Sequence, residues 1–270
     1  MEPVPAVRVI ALIASYNEQR FIRNCLEHLF SQGVEVYLID NESTDTTVQI
    51  AREYLGNGLA GLETLPYDGV FRWGQILDRK EELADKLEAD WFIQMGVDEI
   101  RSAPPGMGTL AEAFSQVEAE GSTAVNFQEY TFIPTREAPD HDHDRFLTTM
   151  RWYYPFSPAE PYHVEAWKKP ARPAEFAWSG GHFVRFDGLH VYPHNFILKH
   201  YQFLCLSHAQ AKWGKRRFPS AEVERGWHGW RASFDASRVR LPSAADLRVY
   251  TVDKQLDASL PRSHHLVDPQ

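Results

Sequence analysis

Apolar residues in the first hundred positions fall into short continuous runs that alternate with stretches of helical spacing. Residues 7–14 form a mostly apolar run, which predicts a strand buried on both faces. Residues 21–30 then carry apolar side chains three and four positions apart and stop before Gly33, which predicts a helix. The chain therefore begins as a strand followed by a helix.

The same alternation continues beyond Gly33. The pattern predicts further strands at 34–39, 62–65 and 90–95, and further helices at 44–55 and 73–87. Strands that alternate with helices through short connections predict an α/β fold, with a Rossmann-like, mostly parallel central sheet and helices on both faces. In such a sheet, ligands bind beyond the carboxyl ends of the strands.

Composition is that of an ordinary globular chain, with 270 residues, 43% of them hydrophobic and 24% charged. We predict a single domain over residues 1–256, followed by a C-terminal tail at 257–270.

Net charge and cysteine content exclude several classes of protein. A net charge of −9 argues against general binding to nucleic acid or anionic lipid. The N-terminal apolar run is too short for a membrane span and lacks a basic flank, so we predict a soluble, cytoplasmic protein. Cys25 and Cys205 lie far apart, which implies neither a disulfide framework nor a zinc ribbon, and Cys25 is expected in the core.

Polar clusters follow three of the predicted strands: residues 15–18, 40–45 and 98–99. Asp40 can accept a hydrogen bond from a ribose or a base, and Asp98 and Glu99 supply the oxygen ligands that Mg²⁺ or Mn²⁺ prefers beside a diphosphate. The alternative is that these side chains cap the following helices, which we favour for Ser43 and Thr44.

Three motifs at these positions resemble family 2 glycosyltransferases of the GT-A fold: Ala14-Ser-Tyr-Asn-Glu18, Ile39-Asp-Asn-Glu-Ser-Thr-Asp45 and residues 90–100. Further motifs at 166–168, 179–182, 198–201 and 224–228 are similar to a bacterial subgroup with a VDEI-type metal motif. The resemblance implies inverting transfer from a nucleoside-diphosphate sugar, with a UDP-sugar expected, to a saccharide or small-molecule acceptor. It implies a nucleotide-sugar-binding half at 1–100 and an acceptor-binding half at 101–256. It also implies donor binding by Ala14, Ser15, Tyr16, Glu18, Asp40, Asn41, Arg79 and Asp98, although Arg79 is equally explained as a solvated charge on a helix.

One position departs from the family pattern. The metal motif usually reads Asp-x-Asp-Glu, and Gly96 replaces its first aspartate. Asp98 and Glu99 remain as ligands of Mn²⁺ or Mg²⁺, and the resemblance implies His200 as a third ligand. A histidine at a strand end is otherwise often structural. Because a carboxylate is missing at Gly96, a catalytically silent nucleotide-sugar-binding protein is the alternative from a different functional class.

Inverting transfer needs a base that takes the proton of the acceptor hydroxyl. Glu165, His182 and Asp187 are the candidates. The glycines before His182 either let the backbone approach a ligand or form a turn before a strand at 183–186. Aromatic residues between positions 152 and 201 suit sugar binding or a core. The basic stretch at 215–217 keeps open a transferase that acts on a modified nucleotide or nucleic acid.

Overall fold

The structure is a computed structural model that describes residues 7–251 and 255–267. The N-terminal flank at 1–6 and the last residues of the predicted tail, 268–270, lie outside the described residues. No helix in the described part of the chain is long and apolar enough to cross a membrane.

Strands and helices occur in the predicted alternation as far as the fourth strand, at Trp91–Met95. The strands are β1 (Val9–Ser15), β2 (Val34–Asp40), β3 (Leu59–Thr64), β4 (Trp91–Met95), β5 (Glu99–Ser102), β6 (Ala124–Phe132), β7 (Trp152–Phe156), β8 (His163–Lys168), β9 (Phe196–His200) and β10 (Arg248–Val249). The helices are α1 (Ile22–Ser31), α2 (Thr47–Arg52), α3 (Trp73–Lys86), α4 (Leu110–Ala119), α5 (Phe146–Thr149), α6 (Leu206–Trp213) and α7 (Ser220–Glu224).

The chain forms two compact units, each made of separate segments. Among the described residues, unit 1 comprises 7–67, 73–127 and 161–198, and unit 2 comprises 68–72, 128–160, 199–251 and 255–267. Residue 100 is therefore not a boundary between compact units, and its proposed role as a division between donor and acceptor halves stays a prediction.

Unit 1 contains a parallel sheet in the order β3-β2-β1-β4. Ser15 pairs with Asp40 at the carboxyl ends of β1 and β2, so the polar residues that follow both strands emerge at one edge. β8 adds antiparallel to β4, and the first part of β6 adds antiparallel to β8. The predicted α/β fold with a central parallel sheet is confirmed, and antiparallel strands extend it.

The core of unit 1 explains the apolar spacing of the sequence. Helix α1 buries Ile22, Cys25, Leu26 and Leu29, which lie on one face at intervals of three and four residues. Trp91 of β4 stacks on Phe114 of α4 with ring centroids 4.8 Å apart. Cys25 is buried, as predicted, and burial is the main cause that raises the pKa of its thiol.

Unit 2 is built on an antiparallel arrangement in which the second part of β6 pairs with β7, and β7 pairs with the short β10. Its core is aromatic. Phe132 stacks on both Tyr153 and Tyr201, with ring centroids 5.4 and 4.8 Å apart. Many of the clustered aromatic residues thus fill a core, one of the two roles expected for them.

The segment after the Gly180-Gly181 pair differs from its prediction. Residues 183–186 form only isolated bridges, Val164 with Phe183 and Glu175 with Arg185. A short 3-10 helix, Ala177–Ser179, precedes the glycines. The predicted strand is therefore wrong, because this segment pairs one residue at a time and lacks a continuous ladder.

Candidate active site

Asp40 is the last residue of β2, and its carboxylate accepts hydrogen bonds from Ser15 and Ser43. Its Oδ1 accepts hydrogen bonds from Ser15 Oγ at 2.9 Å and Ser43 Oγ at 2.6 Å, and its Oδ2 accepts from Ser43 N at 2.8 Å. An ionised carboxylate offers about four acceptor positions. Asp40 therefore retains acceptor capacity for a ligand, although the side chain is buried.

The loops after β1 and β2 hold each other in place. Asn17 adopts a left-handed backbone conformation with φ of 58°, and its Oδ1 accepts from Thr44 N at 2.7 Å. Ser43 Oγ also accepts from Asn17 N at 2.9 Å. Helix α2 begins only at Thr47, with Thr46 as its N-cap residue. The expectation that Ser43 and Thr44 cap this helix is therefore wrong, because both bind across to the neighbouring loop.

Asn41 leaves a buried acceptor at the same edge. Its Nδ2 donates to the carbonyl oxygens of Leu65 and Pro66, at 2.9 and 3.2 Å. Its Oδ1 is buried and has no hydrogen-bond partner among the described residues. Buried carbonyl oxygens are nearly always paired in proteins. This atom is therefore suited to accept an N–H from a ligand such as a nucleobase.

Other residues predicted to bind the donor surround these two. Ala14 pairs with Ile39 in the sheet, and Glu18 N donates to Thr47 Oγ1 at 2.8 Å. Tyr16 packs against Tyr67 with ring centroids 4.5 Å apart. The residues after β1 and β2 thus gather at one edge of unit 1.

Asp98 and Glu99 follow β4 and face each other. Their ligand oxygens lie within 4.8 Å of one another. A Cβ atom at Gly96 would lie 2.9 Å from Asp98 Oδ1 and 3.3 Å from Glu99 Oε1, so both carboxylates turn toward the backbone of this glycine. The absence of a side chain at Gly96 makes room for them. Two facing carboxylates are a suitable pair of oxygen ligands for Mg²⁺ or Mn²⁺.

Arg101, two residues after Glu99 on β5, forms an ion pair with Glu99. Its Nε and one terminal nitrogen donate to Glu99 Oε2 at 3.0 and 2.5 Å, and the same nitrogen donates to Glu165 Oε2. The side chain is fully buried, and its guanidinium carbon lies 4.4 Å from the ring centroid of Phe127. Burial opposes the charge of Arg101, but Glu99 and Glu165 outweigh it and raise the arginine pKa.

Glu165 and two histidines form a second cluster. His163 Nδ1 lies 3.0 Å from Glu165 Oε1, and His182 Nδ1 lies 3.3 Å from the same oxygen. Burial raises the pKa of Glu165, but His163 and Arg101 outweigh burial and hold that pKa well below its usual range. Tyr162 stacks on His182 with ring centroids 4.7 Å apart.

Lys80 is a buried lysine on α3 behind these clusters. Its Nζ donates to Gln94 Oε1 at 2.8 Å and to the Met95 carbonyl at 3.2 Å. Burial lowers the pKa of Lys80 to about 7. Gln94 Nε2 also donates to the Gly181 carbonyl at 3.0 Å, and a Cβ at Gly181 would lie 2.7 Å from that nitrogen. The backbone of Gly181 therefore lies close to the Gln94 side chain, whereas the sequence left open a close approach to a ligand or a turn.

Three further predicted site residues each have a charged partner. Arg79 forms a bidentate pair with Glu63, at 2.6 and 2.8 Å. Asp187 is exposed, and its carboxylate lies 3.4 Å from Arg172. His200 belongs to unit 2, where its Nδ1 lies 2.9 Å from Glu129 Oε1. The roles predicted for these three residues stay predictions.

The sequence analysis did not single out Lys80, Gln94, Arg101 or His163. A signal was present in the strands, where side chains two residues apart share a face. Arg101 therefore lies on the same face as Glu99, and His163 on the same face as Glu165.

One family model matches the part of the chain that contains the motifs after β1 and β2. The family model described as Glycosyl transferase family 2 matches residues 10–61. This match covers β1, β2 with its last residue Asp40, and the following loop that contains Asn41. No curated protein matches the chain.

Solved structures provide distant likenesses. S. aureus TarS 1-349 in complex with UDP-GlcNAc is 18% identical over 48% of this chain and 34% of that chain, with a TM-score of 0.32. S. aureus TarS is 13% identical over 72% and 36%, with a TM-score of 0.41. The Pyrobaculum calidifontis mannosyltransferase PcManGT in complex with GDP-Man and Mn²⁺ is 16% identical over 84% and 72%, with a TM-score of 0.41. The chain spans about a third of the length of the two TarS structures.

Proposed function

We propose that this chain is a family 2 glycosyltransferase of the GT-A fold that transfers a sugar from a nucleoside-diphosphate sugar to an acceptor hydroxyl. The family model over residues 10–61 supports the proposal. The observation that carries it is the buried Oδ1 of Asn41, which has no partner among the described residues and lies next to Asp40 at the end of β2. Such an edge of a parallel sheet is where nucleotides bind.

Asp98 and Glu99 would hold a divalent cation in this proposal. Glu99 Oε2 is bonded to Arg101, which leaves Oε1 directed to the same side as Asp98 Oδ1. The two carboxylates fit Mg²⁺ or Mn²⁺ because these ions prefer oxygen ligands. When bound, the ion would neutralise charge on the diphosphate leaving group. His200, predicted as a third ligand, remains part of the proposal.

A base must accept the proton of the attacking hydroxyl, and we retain Glu165, His182 and Asp187 for this role. Glu165 is the weakest of the three, because its oxygens bond to Arg101 and His163 and its pKa is held low. The side chains of His182 and Asp187 are 40% and 86% exposed, so both reach solvent. An inverting mechanism and a UDP-sugar donor also remain proposals.

Thermal unfolding in the presence of nucleotides tests the donor site. The protein is heated with a panel of nucleoside diphosphates and nucleotide sugars, each with and without Mn²⁺. We expect one nucleotide to raise Tm only with Mn²⁺, since a ligand at 100 times its Kd stabilises the native state by about 2.7 kcal/mol. Asp98→Asn should abolish the shift, and Asp78→Asn, an exposed aspartate of α3, should preserve it.

Two results would contradict the proposal: no shift with any nucleotide, or an equal shift in Asp98→Asn. A metal-dependent shift, without release of nucleoside diphosphate from the donor in the presence of any tested acceptor, would favour the silent binding protein. The replacement of a carboxylate by Gly96 is the observation behind that second candidate.

A further inference from the structure

His163, Glu165 and His182 bring two imidazole nitrogens and one carboxylate oxygen together within unit 1. The three ligand atoms lie within 4.8 Å of one another. His163 and Glu165 share one face of β8. His182 follows the Gly180-Gly181 turn, whose carbonyl oxygens accept hydrogen bonds from Trp73 and Gln94. This cluster shares no residue with the pair formed by Asp98 and Glu99, and unlike that pair it supplies nitrogen ligands.

The separations suit a small tetrahedral ion. Zinc bonds of about 2.0–2.2 Å to nitrogen and oxygen place ligand atoms roughly 3.3–3.5 Å apart. The two nitrogens lie 3.0 and 3.3 Å from Glu165 Oε1, so only a small rearrangement is needed to enclose an ion.

His182 provides the second observation. Its Nδ1 is buried, lies near a carboxylate oxygen and yet makes no aligned hydrogen bond within the described residues. An N–H on Nδ1 that is poorly aligned with the carboxylate gains little from it. A cation bound to the Nδ1 lone pair and to Oε1 would give both atoms a partner.

Arg101 orients the carboxylate of Glu165 as a metal ligand. It binds Oε2 of Glu165, which leaves Oε1 for the two histidines. Contacts of this kind orient ligands and tune metal sites. With neutral imidazoles, Glu99, Glu165 and Arg101 carry a combined charge of −1, which favours a cation.

We propose that His163, Glu165 and His182 form a binding site for Zn²⁺, distinct from the Asp98 and Glu99 pair. Two imidazoles and one carboxylate are a ligand set that zinc uses when a fourth position stays open. The side chains of His163 and Glu165 are 7% and 3% exposed, whereas that of His182 is 40% exposed, so the open position faces solvent on the His182 side. Occupation would use Nδ1 of His182 and leave Asp187 as the solvent-exposed candidate base.

Cobalt titration of the metal-free protein tests the site, because tetrahedral Co²⁺ absorbs visible light far more strongly than octahedral Co²⁺. We expect one equivalent to give the tetrahedral spectrum and Zn²⁺ to displace it. His182→Ala should weaken binding at least about 100-fold, since changes in the outer shell alone cost about 10–100-fold. His194→Ala, an exposed histidine of unit 1, should leave the titration unchanged.

Asp98→Asn separates this site from the proposed donor site. The tetrahedral Co²⁺ signal should persist in Asp98→Asn, and the nucleotide-dependent Tm shift with Mn²⁺ is measured independently. Absence of a tetrahedral signal in the wild-type protein would overturn the proposal. So would an unchanged signal in both His182→Ala and Glu165→Gln, with folding of each variant verified by circular dichroism.

Discussion

Replacement of Lys80 by methionine should change how the stability of the protein depends on pH. Lys80 is fully buried, and its ammonium donates to Gln94 Oε1 and the Met95 carbonyl. Burial lowers its pKa from 10.5 to about 7. The folded protein therefore holds this proton less tightly than the unfolded chain does.

The sign and size follow from proton linkage. Between pH 7 and 10.5 the unfolded chain binds more protons at Lys80, so stability rises with pH in this window. Each unit of pKa shift corresponds to about 1.4 kcal/mol, so the charged lysine costs roughly 4 kcal/mol at pH 7 and about 2 kcal/mol at pH 9. The wild-type protein should thus gain about 2 kcal/mol from this residue between pH 7 and pH 9.

Urea unfolding at pH 7, 8 and 9 measures this effect. Other groups also titrate in this range, so the quantity of interest is the difference in unfolding free energy between wild type and Lys80→Met at each pH. That difference should shift by about 2 kcal/mol in favour of the wild type as pH rises. Lys86→Met, an exposed lysine on the same helix, should show a constant difference. A constant difference for Lys80→Met as well would refute the depressed pKa.

Three further predictions concern single side chains of unit 1. Arg101→Met should lower the unfolding free energy by about 3–5 kcal/mol, because Glu99 and Glu165 lose their buried partner, and unchanged urea midpoints would contradict this. Thr109→Ala should cost about 1 kcal/mol in thermal unfolding, since Thr109 and Glu112 form a reciprocal capping box at the start of α4. Gly96→Ala should weaken the Mn²⁺-dependent nucleotide shift because its Cβ would crowd the carboxylates of Asp98 and Glu99, the proposed metal ligands, and an unaltered shift would disprove this crowding.

The sheet could be predicted from sequence because its central strands, β1 and β4, are buried on both faces. The predicted strand at 34–39 corresponds to β2 at Val34–Asp40, and the strand at 90–95 to β4 at Trp91–Met95. Helix 44–55 was predicted too long, since α2 spans only Thr47–Arg52. Local helix signals at Ser43 and Thr44 were outweighed by hydrogen bonds to a loop far away in sequence, which periodicity does not report.

The candidate site was only partly predictable for a related reason. Residues directly after strands were found, because a strand end is visible as a change from apolar to polar residues. Lys80 was missed, although it lies four positions after Ile76 and three after Leu77, on the buried face of α3. A lysine is normally assigned to solvent, and only the three-dimensional position of Gln94 and Met95 shows how its charge is accommodated.

Arg101 links the two halves of the site in a way that explains the buried charges. A fully buried arginine is costly alone, but Glu99 and Glu165 each supply an oxygen to it. Arg101 binds Oε2 of each carboxylate, so Glu99 Oε1 lies beside Asp98, and Glu165 Oε1 is left to the histidines. In the two proposals above, one guanidinium would therefore orient an oxygen pair for Mg²⁺ or Mn²⁺ and a nitrogen-containing set for Zn²⁺. Loss of Arg101 should consequently disturb both proposed sites, whereas Asp98→Asn and His182→Ala should each disturb only one.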